Sequence, residues 1–372
     1  MNRARAAACA ALLGLAAPGC RAGPPAPFTV RAPLPPPPPA APEGPPLRAL
    51  VLGDFGDDTR QQAAMGRAVA SAHARAPVDL VFSPGDNLYE CGPDVRLPGA
   101  GGCAFGADGA ALAPGFSPPQ DQRFERLFER AWPALARGGA PVPVYLALGN
   151  HDVATGGGCA QGPLPPAQEA RLKACLEVAH RSARWSLPAR HFVVERGPAR
   201  FIVLDSNLLL GDYGGFTLDE EVKFVRQAAE GCAGRPCFVV AHHPAATAGG
   251  HRGEIDAAYR ARLGRLEEAA QGHLAGWLAG HDHDLQHLRA PAGYDVLVSG
   301  NGARGRPSER FEQAAPPGAA LLFASTAWGL LRLDVWSDGW AARFEAVDGA
   351  PLHCCRASWP GPCAPVACAG FP

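Results

Sequence analysis

Five short aliphatic runs in this chain each stop at a polar cluster, and that repetition limits the possible fold more than any other feature. The runs cover residues 47–53, 79–83, 142–148, 237–241 and 274–279. Each is short, apolar and closed by Gly or a turn residue, the pattern of a buried strand. The clusters read Gly53-Asp54-Phe55-Gly56, Gly85-Asp86-Asn87-Leu88-Tyr89, Gly149-Asn150-His151-Asp152, His242-His243-Pro244 and Gly280-His281-Asp282-His283. Open α/β sheets gather ligands beyond the carboxyl ends of their strands, so side chains placed there can converge. A lone Gly-Asp after a strand is most often only a turn. Five such clusters in order make a candidate site.

The rest of the body fits the same architecture. Residues 191–194 and 200–205 read as a hairpin around Arg196-Gly197-Pro198. Further strands are expected at 295–299, 329–336 and 340–346, the last two joined by Ser337-Asp338-Gly339. Helices are expected over 59–75, 120–136, 167–179, 217–230 and 254–270, with Thr217 and Glu220 forming a capping box. Strands alternate with helices early and dominate late, which points to two packed sheets with helices outside. The Gly-rich segment 90–117 reads as a long surface loop pinned by Cys91 and Cys103.

Cysteine usage speaks for an oxidising compartment. The chain has 12 Cys in 372 residues and no Cys-x-x-Cys pair, so metal fingers are an unsuitable explanation. Arg3 and Arg5 precede an apolar run over 6–17 that is too short for a permanent span. This resembles a secretory signal peptide, and Ala17-Pro18-Gly19-Cys20 resembles a lipoprotein box with Cys20 as the lipid acceptor. Simple cleavage near Gly23 is the other reading. We therefore expect a signal peptide over 1–20, a Pro-rich linker over 21–46, a catalytic domain over 47–349 and a Cys-rich tail over 350–372. Ten Cys remain beyond the leader as disulfide candidates of open connectivity. The net charge of -1 offers no basic excess for nucleic acid, and the chain is expected to be monomeric, meeting a membrane only through its N-terminus.

With these motifs in place the sequence resembles the metallophosphoesterases, and within them the small, tartrate-resistant purple acid phosphatases, over roughly residues 47–352. Arg184-Trp185, the run Leu297-Val298-Ser299-Gly300-Asn301-Gly302 and Phe323-Ala324-Ser325 add to the likeness. The first motif of the broader family is Asp-x-His, whereas Gly56 stands at the third place here. Tyr89, three residues after Asp86, matches the purple acid phosphatase pattern instead.

The resemblance implies a four-layer α/β sandwich of two mixed sheets flanked by helices, and a binuclear centre. Asp54, Asp86, Tyr89 and His283 would hold Fe³⁺. Asp86, Asn150, His242 and His281 would hold a divalent ion, Zn²⁺, Fe²⁺ or Mn²⁺, with Asp86 bridging. Hard oxygen donors including a phenolate suit the ferric ion, and imidazoles with an amide carbonyl suit the divalent one. The implied reaction is hydrolysis of phosphomonoesters, small or peptide-borne, by a metal-bound hydroxide. His151 and His251 would bind phosphate, and His251 would protonate the leaving group. Asp152 is expected to orient His151, and His243 to lie outside the site. His73, His180, His191, His273, His287 and His353 carry no motif and are read as structural or solvent-exposed. Alternatives are a phosphodiesterase or nucleotide hydrolase using two divalent ions, and a surface redox or binding protein without hydrolysis.

Overall fold

The computed structural model describes residues 27–32, 44–306, 311 and 317–369. The leader and Cys20 lie outside the described residues. In chain order the strands of the two large sheets are β1 (Thr29–Arg31), β2 (Leu47–Val51), β3 (Leu80–Ser83), β4 (Val144–Leu146), β5 (Trp185–Ser186), β6 (Phe192–Arg196), β7 (Ala199–Val203) and β8 (Cys237–Val240). They continue as β9 (Gly276–Ala279), β10 (Leu285–Arg289), β11 (Asp295–Ser299), β12 (Ala320–Ser325), β13 (Gly329–Trp336), β14 (Gly339–Ala346), β15 (Pro351–Ser358) and β16 (Ala364–Val366). The helices are α1 (Arg60–Arg75), α2 (Pro166–Ala179), α3 (Leu218–Ala229) and α4 (Ala257–Ala269).

One eight-stranded sheet runs β1-β12-β10-β11-β9-β8-β7-β6 and the other β16-β15-β14-β13-β2-β3-β4-β5. Both are mixed. The parallel strands β2, β3, β4 and β7, β8, β9, β11 sit in the middle or toward one side. The sheets share an interior built from Val51, Phe82, Phe201, Val240, Leu278, Leu297, Leu333 and Phe344. Met65 and Val69 of α1, Val222 and Val225 of α3, and Leu263 and Leu266 of α4 join a second cluster with Leu50, Val81, Val239 and Trp277. This is the expected four-layer α/β arrangement. Strands buried on both faces explain why their sequences are continuously apolar rather than alternating.

Several expectations need correcting. The helix expected over 120–136 is shortened to a π-helical segment at Phe124–Glu129, and Pro133 disfavours helical geometry at Trp132. The helix expected to start at 254 begins at Ala257, where the Asp256 side chain accepts the Tyr259 amide. Glu254 is thereby left in a tight turn after His251. Thr29–Arg31, assigned to the linker, is a strand on the edge of the first sheet, with Thr29 opposite Ser325. The Cys-rich tail is no appendage: β15 and β16 extend the second sheet, and Cys354–Cys368 and Cys355–Cys363 tie them together. The loop over 90–117 is fastened outward, through Cys91–Cys159 and through Cys103–Cys175 onto α2. Cys232–Cys237 completes the five bonds. Among the described residues no helix is long and apolar enough to cross a membrane.

Candidate metal centre

The five clusters fall on the turns that leave β2, β3, β4, β8 and β9, all at one end of the sandwich. Asp54, Asp86 and His281 adopt left-handed backbone conformations, with φ of 56°, 55° and 69°. Such conformations cost energy in non-glycine residues and persist only where the surroundings enforce them. The glycines preceding the ligands let the turns touch. A Cβ on Gly149 would lie 2.1 Å from Asp86 Oδ1, and one on Gly280 would lie 2.3 Å from Asp54 Oδ2.

The side chains form two adjoining groups. In the first, the Tyr89 hydroxyl donates to Asp54 Oδ1 at 3.0 Å and lies 3.1 Å from His283 Nε2. His283 Nε2 is 3.4 Å from the same Asp54 oxygen. In the second, Asn150 Oδ1 lies 2.8 Å from His242 Nε2 and 3.1 Å from His281 Nδ1, and these two nitrogens are 3.1 Å apart. Asp86 Oδ1 is 3.4 Å from His242 Nε2. The far nitrogens are committed elsewhere: His242 Nδ1 donates to the Pro84 carbonyl at 2.9 Å, and His281 Nε2 meets Glu254 Oε2 at 2.8 Å. Partners of this kind orient metal-binding imidazoles.

The electrostatics fit a cation at this place. Burial raises the Asp54 carboxyl to about 8, with Asp86 adding to the effect. Burial and then the Asp54 and Asp86 carboxylates push the Tyr89 phenol well above its usual range. At Asp86 burial also opposes charge, but the His242 and His151 imidazoles outweigh it and the carboxyl is lowered. Burial depresses His281 and His283 to about 4, which keeps both neutral and their lone pairs available. Carboxylates, a phenol and neutral imidazoles crowded in a dry site are a donor set that multivalent cations satisfy. Among the described residues Asp54, Asp86 and His242 offer ligand atoms within 4.8 Å of one another, as do His242, His243 and His281, and His251, Glu254 and His281.

Comparison with known proteins decides the family. The family model described as calcineurin-like phosphoesterase matches residues 47–285. The chain belongs to the calcineurin-like phosphoesterases. Members are hydrolases of phosphoric esters, and the curated relatives agree. Tartrate-resistant acid phosphatase type 5 of Homo sapiens is 24% identical over 299 residues, spanning 74% of this chain and 78% of that protein. Purple acid phosphatase 7 of Arabidopsis thaliana is 27% identical over 286 residues, spanning 69% and 70%. The fold is shared with the purple acid phosphatase PPD1 of yellow lupin, at a TM-score of 0.56 and 14% identity over 84% of this chain and 53% of that one. It is shared too with GAP50, the anchor in the inner membrane complex of Plasmodium, at 0.60 and 17% over 84% and 88%.

Against the calcineurin-like phosphoesterase pattern, the departure at Gly56 has a steric cause. A Cβ there would sit 2.0 Å from the Asn87 carbonyl oxygen. The Gly56 amide donates to the Asp86 carbonyl at 3.1 Å, and its own carbonyl accepts from the Tyr89 amide at 2.9 Å. The backbone of the second motif fills the space of a side chain, and the Tyr89 hydroxyl, 3.0 Å from Asp54 Oδ1, stands in the group instead.

The outer histidines flank the centre. The His151 ring lies 4.5 Å from the Tyr89 ring, with its Nδ1 2.9 Å from the Glu90 carbonyl. The His251 ring lies 4.0 Å from the His281 ring. Burial alone would depress His251, but the Glu254 and Asp282 carboxylates reverse this and raise it. Asp152 does not orient His151. Its carboxylate accepts the backbone amides of Asn87, Leu88 and Gly149 at 2.8, 2.9 and 2.7 Å, because three N–H groups of the converging turns point into its buried position.

Three neighbours escaped the sequence motifs, and a fourth, His243, was read within one but set outside the site. Glu254 bridges His251 Nδ1 at 2.7 Å and His281 Nε2. Arg306 meets His251 Nε2. Arg304 covers the Tyr89 ring at 4.0 Å. His243, expected outside the site, has its ring 4.6 Å from that of His281, and its buried Nε2 has no hydrogen-bond partner. The His251–Glu254 spacing of three residues was the one available signal.

Proposed function

We propose that the chain is a binuclear phosphomonoesterase of the purple acid phosphatase kind. Asp54, Asp86, Tyr89 and His283 hold Fe³⁺, and Asp86, Asn150, His242 and His281 hold Zn²⁺, Fe²⁺ or Mn²⁺. The observation that carries this reading is the Tyr89 hydroxyl set between Asp54 Oδ1 and His283 Nε2. A phenol spent on a carboxylate and an imidazole in a buried turn has little structural purpose, whereas a phenolate is a strong donor to a ferric ion. When bound, two such metals supply charge to neutralise a phosphate and lower the pKa of water. The chain itself supplies orientation and protons. His151 and His251 stand on either side of the centre within reach of a phosphate group. His251, poised upward by Glu254 and Asp282, delivers a proton to the departing alkoxide. The retained set of seven donors disfavours a purely anchoring or binding role.

The test is metal analysis with a visible spectrum and an aryl phosphate assay. The iron-loaded protein is expected to be coloured, and Tyr89→Phe to lose the band while staying folded. Asn150→Ala and His242→Ala are expected to lose one metal equivalent and more than about a hundredfold in turnover, since even outer partners of metal ligands are worth about 10–100-fold. Full metal content with undiminished turnover in those variants refutes the assignment. Small phosphomonoesters and phosphopeptides are the substrates we favour. Five disulfides support work outside the reducing cytosol, and we extend this to export through residues 1–20 with lipid at Cys20, and to a monomer.

A further inference from the structure

Arg304 is absorbed by neither the motifs nor the proton-transfer scheme, yet its position is closely fixed. It ends the turn that follows β11, and three bonds fasten that turn to the first motif and to the start of α1. The Gly302 amide donates to the Gly53 carbonyl at 3.1 Å, the Ala303 amide to the Asp54 carbonyl at 2.9 Å, and the Thr59 hydroxyl to the Ala303 carbonyl at 2.8 Å. The guanidinium is then gripped from two sides. Its Nε donates to Asp57 Oδ2 at 2.8 Å and its Nη2 to Glu90 Oε1. Asp57 stands three residues beyond Asp54, and Glu90 directly follows Tyr89. Between these anchors the Cζ atom lies 4.0 Å from the Tyr89 ring centroid, in the range of a cation on an aromatic face. Solvent-accessible ion pairs such as these partly buried ones contribute modestly to stability, so their convergence on a cation over this particular ring calls for a further explanation.

We propose that Arg304 is a positioning residue for the Tyr89 phenolate, one that holds the ring and lowers the energy of its π electrons. The inference rests on the ferric–phenolate reading above. A positive charge over the ring acts more strongly on the ring than on a metal beyond its oxygen, because the Coulomb interaction falls with distance. The gap between the filled ring orbital and the empty metal orbitals widens, and the visible charge-transfer band moves to shorter wavelength. The same charge weakens electron donation to the ferric ion and makes it easier to reduce.

The experiment uses the full chain loaded with iron and zinc. It compares the wild type with Arg304→Gln, which can still hydrogen-bond to the Asp57 or Glu90 carboxylate, with the neutral Arg304→Met, and with Arg304→Lys. Thermal transitions confirm folding, and two neutral variants guard against failure of either one. We expect both neutral variants to show a band shifted to the red by tens of nanometres and an iron that is harder to reduce, with Arg304→Lys between them and the wild type. A coloured wild type with an unmoved band and potential in a folded neutral variant overturns this inference alone. Loss of the band with iron still bound also overturns it, since Arg304 would then only hold the ring in place. A colourless iron-loaded wild type overturns the ferric–phenolate reading and this inference with it.

Discussion

Replacing Asp152 tests whether the turns of the second and third motifs share one anchor. The carboxylate is fully buried and accepts three backbone amides, from Asn87, Leu88 and Gly149, at 2.8, 2.9 and 2.7 Å. In Asp152→Ala the three backbone donors lose their acceptor, while Asn87 Nδ2, which also donates to Asp152 Oδ2 at 3.1 Å, keeps the Ala147 carbonyl. A buried donor left unpaired costs about 1–3 kcal/mol, and water entering the vacated space recovers part, so the expected loss is about 4 kcal/mol. Asp152→Asn is a graded control. Its Oδ1 can still serve Asn87 and Leu88, while its amide nitrogen meets the Gly149 N–H donor to donor, for a cost of about 1–3 kcal/mol. Urea unfolding of both variants with linear extrapolation measures the series, and metal analysis measures the consequence. Asp86 and Asn150 flank the amides involved, so the Ala variant should also bind the divalent ion less tightly. An Asp152→Ala protein within about 1 kcal/mol of wild type and with full metal content would falsify the shared-anchor argument.

Three further outcomes follow from the geometry. His353 is pushed down to about 2 by burial, by His287 and by Arg31. A depressed folded pKa means that the unfolded chain takes up the proton first. Stability from this residue is thus complete above about pH 6.5 and is lost as pH falls, by about 2 kcal/mol between pH 7.5 and 5. His353→Phe should be the less stable protein at pH 7.5, having lost the 2.9 Å bond to His287, and should close or reverse that gap at pH 5; parallel curves rule the explanation out. Gly56→Ala should cost more than about 2 kcal/mol and release iron, because its Cβ would lie 2.0 Å from the Asn87 oxygen; unchanged iron content and melting temperature would show that the turn yields freely. Tyr89→Phe, beyond losing colour, leaves Asp54 and His283 without a shared hydroxyl, and iron affinity measured by competition with a chelator should fall.

The central strands and the turns leaving them were legible because the parallel strands are largely buried on both faces and end at a glycine or a polar turn. Continuous apolar runs with abrupt polar ends are the direct imprint of that environment. β10 was hidden because Leu285–Arg289 carries Gln286, His287 and Arg289 inside a buried strand, where Gln286 bonds Thr247 and Asp284 and His287 bonds Asp295. β15 was hidden by its proline and paired cysteines, although burial of Cys354 and Cys355 makes them good strand residues. The residues gathered at the candidate centre could be read from their motifs, while Arg304 and Arg306 could not. Their contacts join segments far apart in the chain, and nothing local in the sequence records that Arg304 lies over Tyr89. Asp152 shows the opposite failure: it was noticed, but its partners were backbone amides, which no side-chain motif reveals.

The short edge strand β1 sets where the chain enters the body. Thr29 pairs with Ser325, and Ser325 pairs with Leu285, two residues past His283. Two strand spacings of about 4.8 Å place Thr29 roughly 10 Å across the sheet from the start of β10. The chain therefore joins the body at the end that carries the candidate metal centre rather than at the opposite pole. A perturbation of β1 is therefore felt two strands away, at the turn that carries His281 and His283.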